Sequence, residues 1–293
     1  MQGTVRLPNI ALEQTAGSRS LAAAAHRERS AAQLFRTEVS NGCYWTVLRA
    51  IVGLCVLALW ASMSFAQTPD DVYRVFRPVG AGPFPAVAFV SGCSGFAPVG
   101  ARKFYERAAG KLQGQGYVVL FVDYVGRRGL QNCARAPMVS EGDAAKDLVT
   151  ALAWLRSQES VDRARISALG WSYGGGAVLV ALADYTEEQL GLSRVIVYYP
   201  ICRAVRPWKV VTPVLMLLAG DDEVAPSRAC QAAVEKNANP NVVKTVTSHG
   251  ALHAFDVAEI PEGTRGPAGA MGYNAEAAAA AWEAVQRFLQ VAN

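Results

Sequence analysis

From residue 72 onward the sequence alternates between short apolar runs rich in β-branched residues and longer segments of helical periodicity, which restricts the chain to architectures built from βα repeats. Strands are expected over 73–77, 86–91, 117–123, 165–170, 194–199, 214–219 and 242–247, and helices over 101–113, 141–156, 175–184, 227–236 and 274–291. Several strand runs are apolar throughout, as strands covered by helices on both faces must be. The last helix carries Trp282, Val285, Phe288 and Leu289 at the spacing of one apolar face. Pro85, Pro98, Pro200, Pro213 and Pro226 fall at element edges, where a missing N–H does little harm. No internal repeat or linker interrupts residues 67–293, which read as one domain with a mostly parallel central sheet and helices on both faces.

The N-terminal part has a different character. Arg49 precedes an apolar run from Ala50 to Trp60, and Ser64, Phe65 and Ala66 then lead into polar Gln67. A positive charge, a short apolar run and small residues in that order make a secretory signal peptide, here 46–66, cleaved after Ala66. The run falls short of the roughly 20 residues that span a bilayer. An uncleaved anchor and a buried helix are the rival readings. Residues 1–45, with little apolar periodicity, read as a disordered leader or as the result of a misassigned start, with translation beginning close to Val47. The expected location is periplasmic or secreted, without a stable membrane anchor after cleavage. Residues 67–293 hold 22 Lys and Arg against 21 Asp and Glu, so the folded part lacks the basic excess that a nucleic-acid partner requires.

Of six cysteines, Cys43 and Cys55 lie in or before the signal segment, which leaves Cys93, Cys133, Cys202 and Cys230. An even number behind an export signal predicts two disulfides, and four cysteines allow three pairings; buried free thiols are the alternative. Cys202 follows the strand ending at Tyr199 and Cys230 begins the helix after Asp222, two neighbouring ends on one sheet edge. Cys93 and Cys133 follow the strands that end near Ser91 and Asp123. The expected pairing is therefore Cys202 with Cys230 and Cys93 with Cys133.

Chemistry concentrates at three junctions. The run Gly170-Trp171-Ser172-Tyr173-Gly174 joins an expected strand to an expected helix, the context that a nucleophile elbow needs. Gly170 and Gly174 allow a turn that a side chain would obstruct, and the turn lifts the Ser172 hydroxyl above the sheet. A serine needs a base, and the base needs an orienting acid. Asp221, Asp222 and Glu223 follow the strand 214–219, and we read Asp222 as that acid, with Asp221 as the alternative. Three histidines occur; His26 lies in the leader, so the base is His249 or His253, both after the strand 242–247. These loops open on the same edge of a parallel sheet as the elbow. The oxyanion formed from an attacked carbonyl would be held by the backbone N–H of Tyr173 and of Cys93, beside the small residues Gly92, Ser94 and Gly95.

Over residues 72–291 the chain resembles the dienelactone hydrolase family of the α/β-hydrolase fold. The resembling pieces are Ser91-Gly-Cys-Ser-Gly95, Val161-Asp-Arg-Ala-Arg165 leading into Gly170-Trp-Ser-Tyr-Gly-Gly175, Tyr199-Pro-Ile-Cys202, Asp222-Glu-Val-Ala-Pro226 and His253-Ala-Phe-Asp256. The last piece favours His253 over His249. The resemblance implies a compact carboxylesterase-like hydrolase without metal or organic cofactor, acting on a small-molecule ester or lactone. Founding members carry a cysteine nucleophile where this chain has Ser172, which disfavours dienelactone itself as substrate. Many relatives begin the oxyanion loop with His-Gly, where Ser91-Gly92 stands here. In the segment from Asp123 to Cys133, which resembles a family loop near the pocket, Arg127 or Arg128 is a candidate to bind a substrate carboxylate, the rival and favoured reading being surface or structural arginines; Trp171 is a further candidate contact. Two other functions use the same residues: a peptidase or amidase on the same triad, and an exported binding protein that keeps the hydrolase shell.

Overall fold

The computed structural model describes residues 73–290 except 204, 209, 210 and 238; the leader, the signal segment and Cys43 and Cys55 lie outside the described residues. A seven-stranded sheet runs in the order β1-β3-β2-β4-β5-β6-β7. Its strands are β1 (Arg74–Phe76), β2 (Phe84–Val90), β3 (Val118–Val122), β4 (Val161–Trp171), β5 (Arg194–Tyr198), β6 (Val214–Ala219) and β7 (Val243–Ser248). All neighbours pair in parallel except β1, which runs antiparallel to β3 at the edge. The helices are α1 (Val99–Gly114), α2 (Glu141–Ser157), α3 (Ser172–Asp184), the single turn α4 (Glu187–Leu190), α5 (Ser227–Glu235) and α6 (Ala275–Gln290). This is the α/β-hydrolase architecture: a mostly parallel sheet between helical layers. Among the described residues no helix is long and apolar enough to cross a membrane.

Alternation along each strand divides the core in two. Ala86, Ala88 and Val90 of β2, with Ile166 and Ala168 of β4, pack under Leu148, Leu152 and Leu155 of α2 and the apolar residues of α3. Val87 and Phe89, with Leu169 and Trp171, face Phe104, Tyr105 and Leu112 of α1 and Val285 and Leu289 of α6. Helix α2 begins with a capping box: Ser140 Oγ accepts from the Asp143 N–H at 3.0 Å, and the Asp143 carboxylate accepts from the Ser140 N–H at 3.1 Å.

Several elements differ from the sequence expectation, the single turn α4 among them. Strand β4 starts at Val161 rather than 165, because Asp162 and Arg163 interrupt the apolar run and do not read as strand. Helix α3 starts at Ser172 rather than 175, since three successive glycines conceal its first turn from propensity. A hairpin of β8 (Thr264–Gly266) and β9 (Gly269–Met271) was not expected at all; three-residue strands carry no usable periodicity. That hairpin matters, because Met271 bridges to His253 and the Gly272 N–H donates to the His253 carbonyl at 3.0 Å.

Candidate active site

Strand β4 runs into α3 without a linking residue, so Ser172 takes φ 51°, a left-handed conformation that L-residues rarely adopt. Close packing forces this turn. A Cβ on Gly170 would stand 2.8 Å from the Gly174 carbonyl oxygen, and one on Gly174 would stand 2.2 Å from the Ser91 carbonyl oxygen. Among the described residues the other non-glycine positions with positive φ are Tyr199, at 35°, and Ala254, at 61°. All three strained residues meet at one place, as strain retained for function does.

The loop after β6 supplies an acid and the loop after β7 a histidine. His253 Nδ1 lies 2.7 Å from Asp222 Oδ2, and His253 Nε2 lies 2.9 Å from Ser172 Oγ. An ionised carboxylate can only accept, so Nδ1 carries the proton and donates to Asp222. Nε2 is then the acceptor for the Ser172 hydroxyl. The second oxygen of Asp222 accepts from the N–H groups of Val224, at 2.8 Å, and Ala225, at 2.7 Å. Asp222 and His253 are 6% and 5% exposed, which keeps this chain of hydrogen bonds away from competing water. Asp221 and His249, the alternatives, are exposed.

Above Ser172 the loop 91–95 is fastened from three sides. Tyr105 Oη accepts from the Gly92 N–H at 2.8 Å. Tyr124 Oη donates to the carbonyls of Ser91 and Gly92, at 3.1 and 3.0 Å. Cys93 is bonded to Cys133, and its carbonyl accepts from the Cys133 N–H at 2.8 Å. Among the described residues neither the Cys93 N–H nor the Tyr173 N–H has an acceptor within the protein. For Tyr173 this follows from its place in the first turn of α3, where amides have no partner in the helix. The matching of the dienelactone hydrolase family extends over residues 73–292.

The chain belongs to the dienelactone hydrolase family.

None of the curated proteins compared matches its sequence significantly. Solved structures share the fold of this family member at low identity. A Klebsiella pneumoniae protein assigned as a dienelactone hydrolase is 20% identical, with TM-score 0.57, covering 73% of this chain and 91% of its own. Esterase 2 of Thermogutta terrifontis is 17% identical, with TM-score 0.54, covering 74% of this chain and 86% of its own. The same esterase phosphorylated by paraoxon aligns with equal TM-score over 74% of this chain and 87% of its own.

The three sequence candidates for substrate contact each have partners within this family member. Trp171 is 2% exposed, lies in the core facing α1, and donates through Nε1 to Asp256 at 2.9 Å. Arg128 donates to the Tyr124 carbonyl at 2.7 Å and pairs with Asp147 of α2, so its guanidinium serves the fold. Arg127 stacks over the Tyr73 ring at 5.7 Å. Both disulfides are present as Cys93–Cys133 and Cys202–Cys230, with Cα separations of 4.9 and 5.0 Å. Sequence reasoning did not single out Tyr105, Tyr124, Tyr199 or Asp256 as individuals. Tyr124, Tyr199 and Asp256 carried some signal, as members of segments shared with the family, and Tyr105 carried none.

Proposed function

We propose that the protein is a serine hydrolase that cleaves carboxylic esters or lactones through an acyl-enzyme. The observation that carries this reading is the unbroken run of hydrogen bonds from Ser172 Oγ through His253 to Asp222, at 2.9 and 2.7 Å. His253 Nε2 takes the hydroxyl proton as Oγ attacks the carbonyl carbon. The carbonyl oxygen becomes an oxyanion and moves into reach of the unpaired N–H groups of Cys93 and Tyr173, at the positive end of α3. Asp222 stabilises the imidazolium, which returns its proton to the departing alkoxide. Water then repeats the sequence on the Ser172 ester and releases the acid. The Thermogutta esterase phosphorylated by paraoxon supplies a direct test. A fluorophosphonate should label this protein at Ser172, the Ser172→Ala variant should take no label, and p-nitrophenyl acetate turnover should vanish with it. Label that maps elsewhere, or turnover that survives Ser172→Ala, sinks the reading. Equal turnover of anilides and esters would shift it to an amidase.

Export is the second part of the proposal. It is supported by the signal-like segment 46–66 and by two disulfides, which persist in oxidising compartments. Mass spectrometry of the natural product from the periplasm or medium should find its N-terminus at Gln67. A product that retains Trp60 would point to an anchor.

A further inference from the structure

Asp256 stands three residues beyond His253, and its carboxylate joins two other loops of the site. One oxygen accepts from Trp171 Nε1 at 2.9 Å; the other accepts from Tyr199 Oη at 2.5 Å. Trp171 is the residue before Ser172, and its indole is wedged against Tyr198, Phe89, Phe104 and Tyr105. Tyr199 sits at φ 35°, with its ring 4.6 Å from the His253 ring, centroid to centroid. Through one side chain, the ends of β4 and β5 and the loop after β7 are therefore held together directly behind Ser172 and His253. No other side-chain partner occurs for the Trp171 N–H or the Tyr199 hydroxyl among the described residues.

We propose that Asp256 is a positioning residue of the reaction, a second carboxylate that fixes Trp171 and Tyr199, and through them the Ser172 turn and the His253 ring. This inference rests on the reading of Ser172 and His253 as the reacting groups.

The charge, as well as the shape, of Asp256 enters the argument. Among the described residues no cation forms an ion pair with it. Arg107 of α1 acts on it only through space, since both terminal nitrogens of its guanidinium are engaged by Glu259, at 2.7 and 3.0 Å, and Lys111 stacks over Trp282 at 5.2 Å. The remaining titratable groups that face it are the hydroxyls of Tyr105, Tyr198 and Tyr199 and the His253 imidazole. Burial pushes its carboxyl up to about 6, against the opposing hydrogen bonds from Tyr199 and Trp171 and the attraction of His253. A cavity of about 360 Å³ between α1 and α6, lined by Asp256 and Trp171, gives the carboxyl a path to protons. A carboxylate offers an oxygen to each of the two donors, where an amide would set its NH2 group against one of them. The amide also lacks the negative charge that favours a forming imidazolium at His253.

The test compares Asp256→Asn, Tyr199→Phe and Ser172→Ala in the full mature chain, with p-nitrophenyl acetate as substrate and a fluorophosphonate as probe. Asp256→Asn should lower kcat by about 10- to 100-fold with KM within about twofold. The acid limb of its kcat/KM profile should move to lower pH and become less steep, because His253 loses a favourable charge and a second titrating carboxyl disappears. A purely structural role would not move that limb. Tyr199→Phe, which keeps the carboxylate and breaks one tether, should lower kcat severalfold and leave the limb in place. Wild-type kcat and pH profile in Asp256→Asn, with Ser172→Ala inactive, overturns this proposal alone. If Asp256→Asn does not fold, an unchanged kcat in Tyr199→Phe overturns it. Turnover that persists in Ser172→Ala overturns the underlying reading instead.

Discussion

Cys93 and Cys133 are joined twice, by their disulfide and by the hydrogen bond from the Cys133 N–H to the Cys93 carbonyl at 2.8 Å. The Cys93 N–H, a donor proposed for the oxyanion, is thereby held by the segment that runs on to Val139, whose carbonyl accepts from Tyr173 Oη at 2.7 Å. The Cys202–Cys230 bridge instead ties the loop after β5 to α5. For ring sizes of 40 and 28 residues the chain-entropy model gives each bridge roughly 3 to 4 kcal/mol. Cys133→Ala should therefore lower kcat as well as Tm, while Cys230→Ala should lower Tm with a smaller change in kcat. Equal loss of kcat in both variants would show that the oxyanion loop gains nothing particular from its own bridge.

The φ of 51° at Ser172 leads to a separate expectation. A non-glycine residue held there stores on the order of 1 to 3 kcal/mol, and glycine does not. Ser172→Gly should abolish ester turnover and yet unfold at higher denaturant than Ser172→Ala, by about 1 kcal/mol. Chemical melts of the two inactive variants measure this without interference from activity. A glycine variant less stable than the alanine variant would mean that the turn is relaxed.

His249 and His253 are four residues apart but differ in burial and partners, and their substitutions should separate accordingly. His253→Ala should lose activity by about four orders of magnitude or more, as should Asp222→Asn to a comparable degree. His249→Ala and Asp221→Asn, both exposed, should stay within about twofold of wild type. Steady-state assays on the four variants decide this. A severe defect in His249→Ala would reassign the base.

Much of this architecture was legible because its physical cause is local. Strand β6 is apolar at every position and β5 at every position after Arg194, so their burial between two helical layers can be read directly. The order of Ser172, an acid and a histidine after the parallel strands β4, β6 and β7 places three loops on one edge before any contact is known. What remained hidden depends on which way a side chain turns at that edge. Trp171 reads as a substrate contact from its place in the elbow. Residues two apart on a strand share a face, however, so Trp171 follows Leu169 into the layer under α1. Asp256 could not be found as a tether, because its role needs Trp171 and Tyr199, 85 and 57 residues away, to converge on it. The β8–β9 hairpin that braces His253 has strands too short for any pattern to form.

Asp256 also makes a prediction about stability, and its sign runs opposite to that of an ordinary ion-paired carboxylate. Burial raises its carboxyl from 3.8 to about 6 in the native state. Between those values the native protein binds more protons at this site than the unfolded chain does, so the site's contribution to stability is full below about pH 4. It is lost as the pH rises through 6. The loss amounts to roughly 3 kcal/mol at most, taking about 1.4 kcal/mol for each pH unit between the two values. Asp256→Asn carries no such titration. Its stability relative to wild type should therefore improve from pH 4.5 to pH 7.5, while other carboxylates cancel in the comparison. Denaturant melts of both proteins at the two pH values measure the difference. A gap that does not change with pH would show that the carboxyl titrates normally. A gap that closes as expected, in a variant that has lost turnover, would mean that the buried charge is kept at the expense of stability because the reaction at Ser172 uses it.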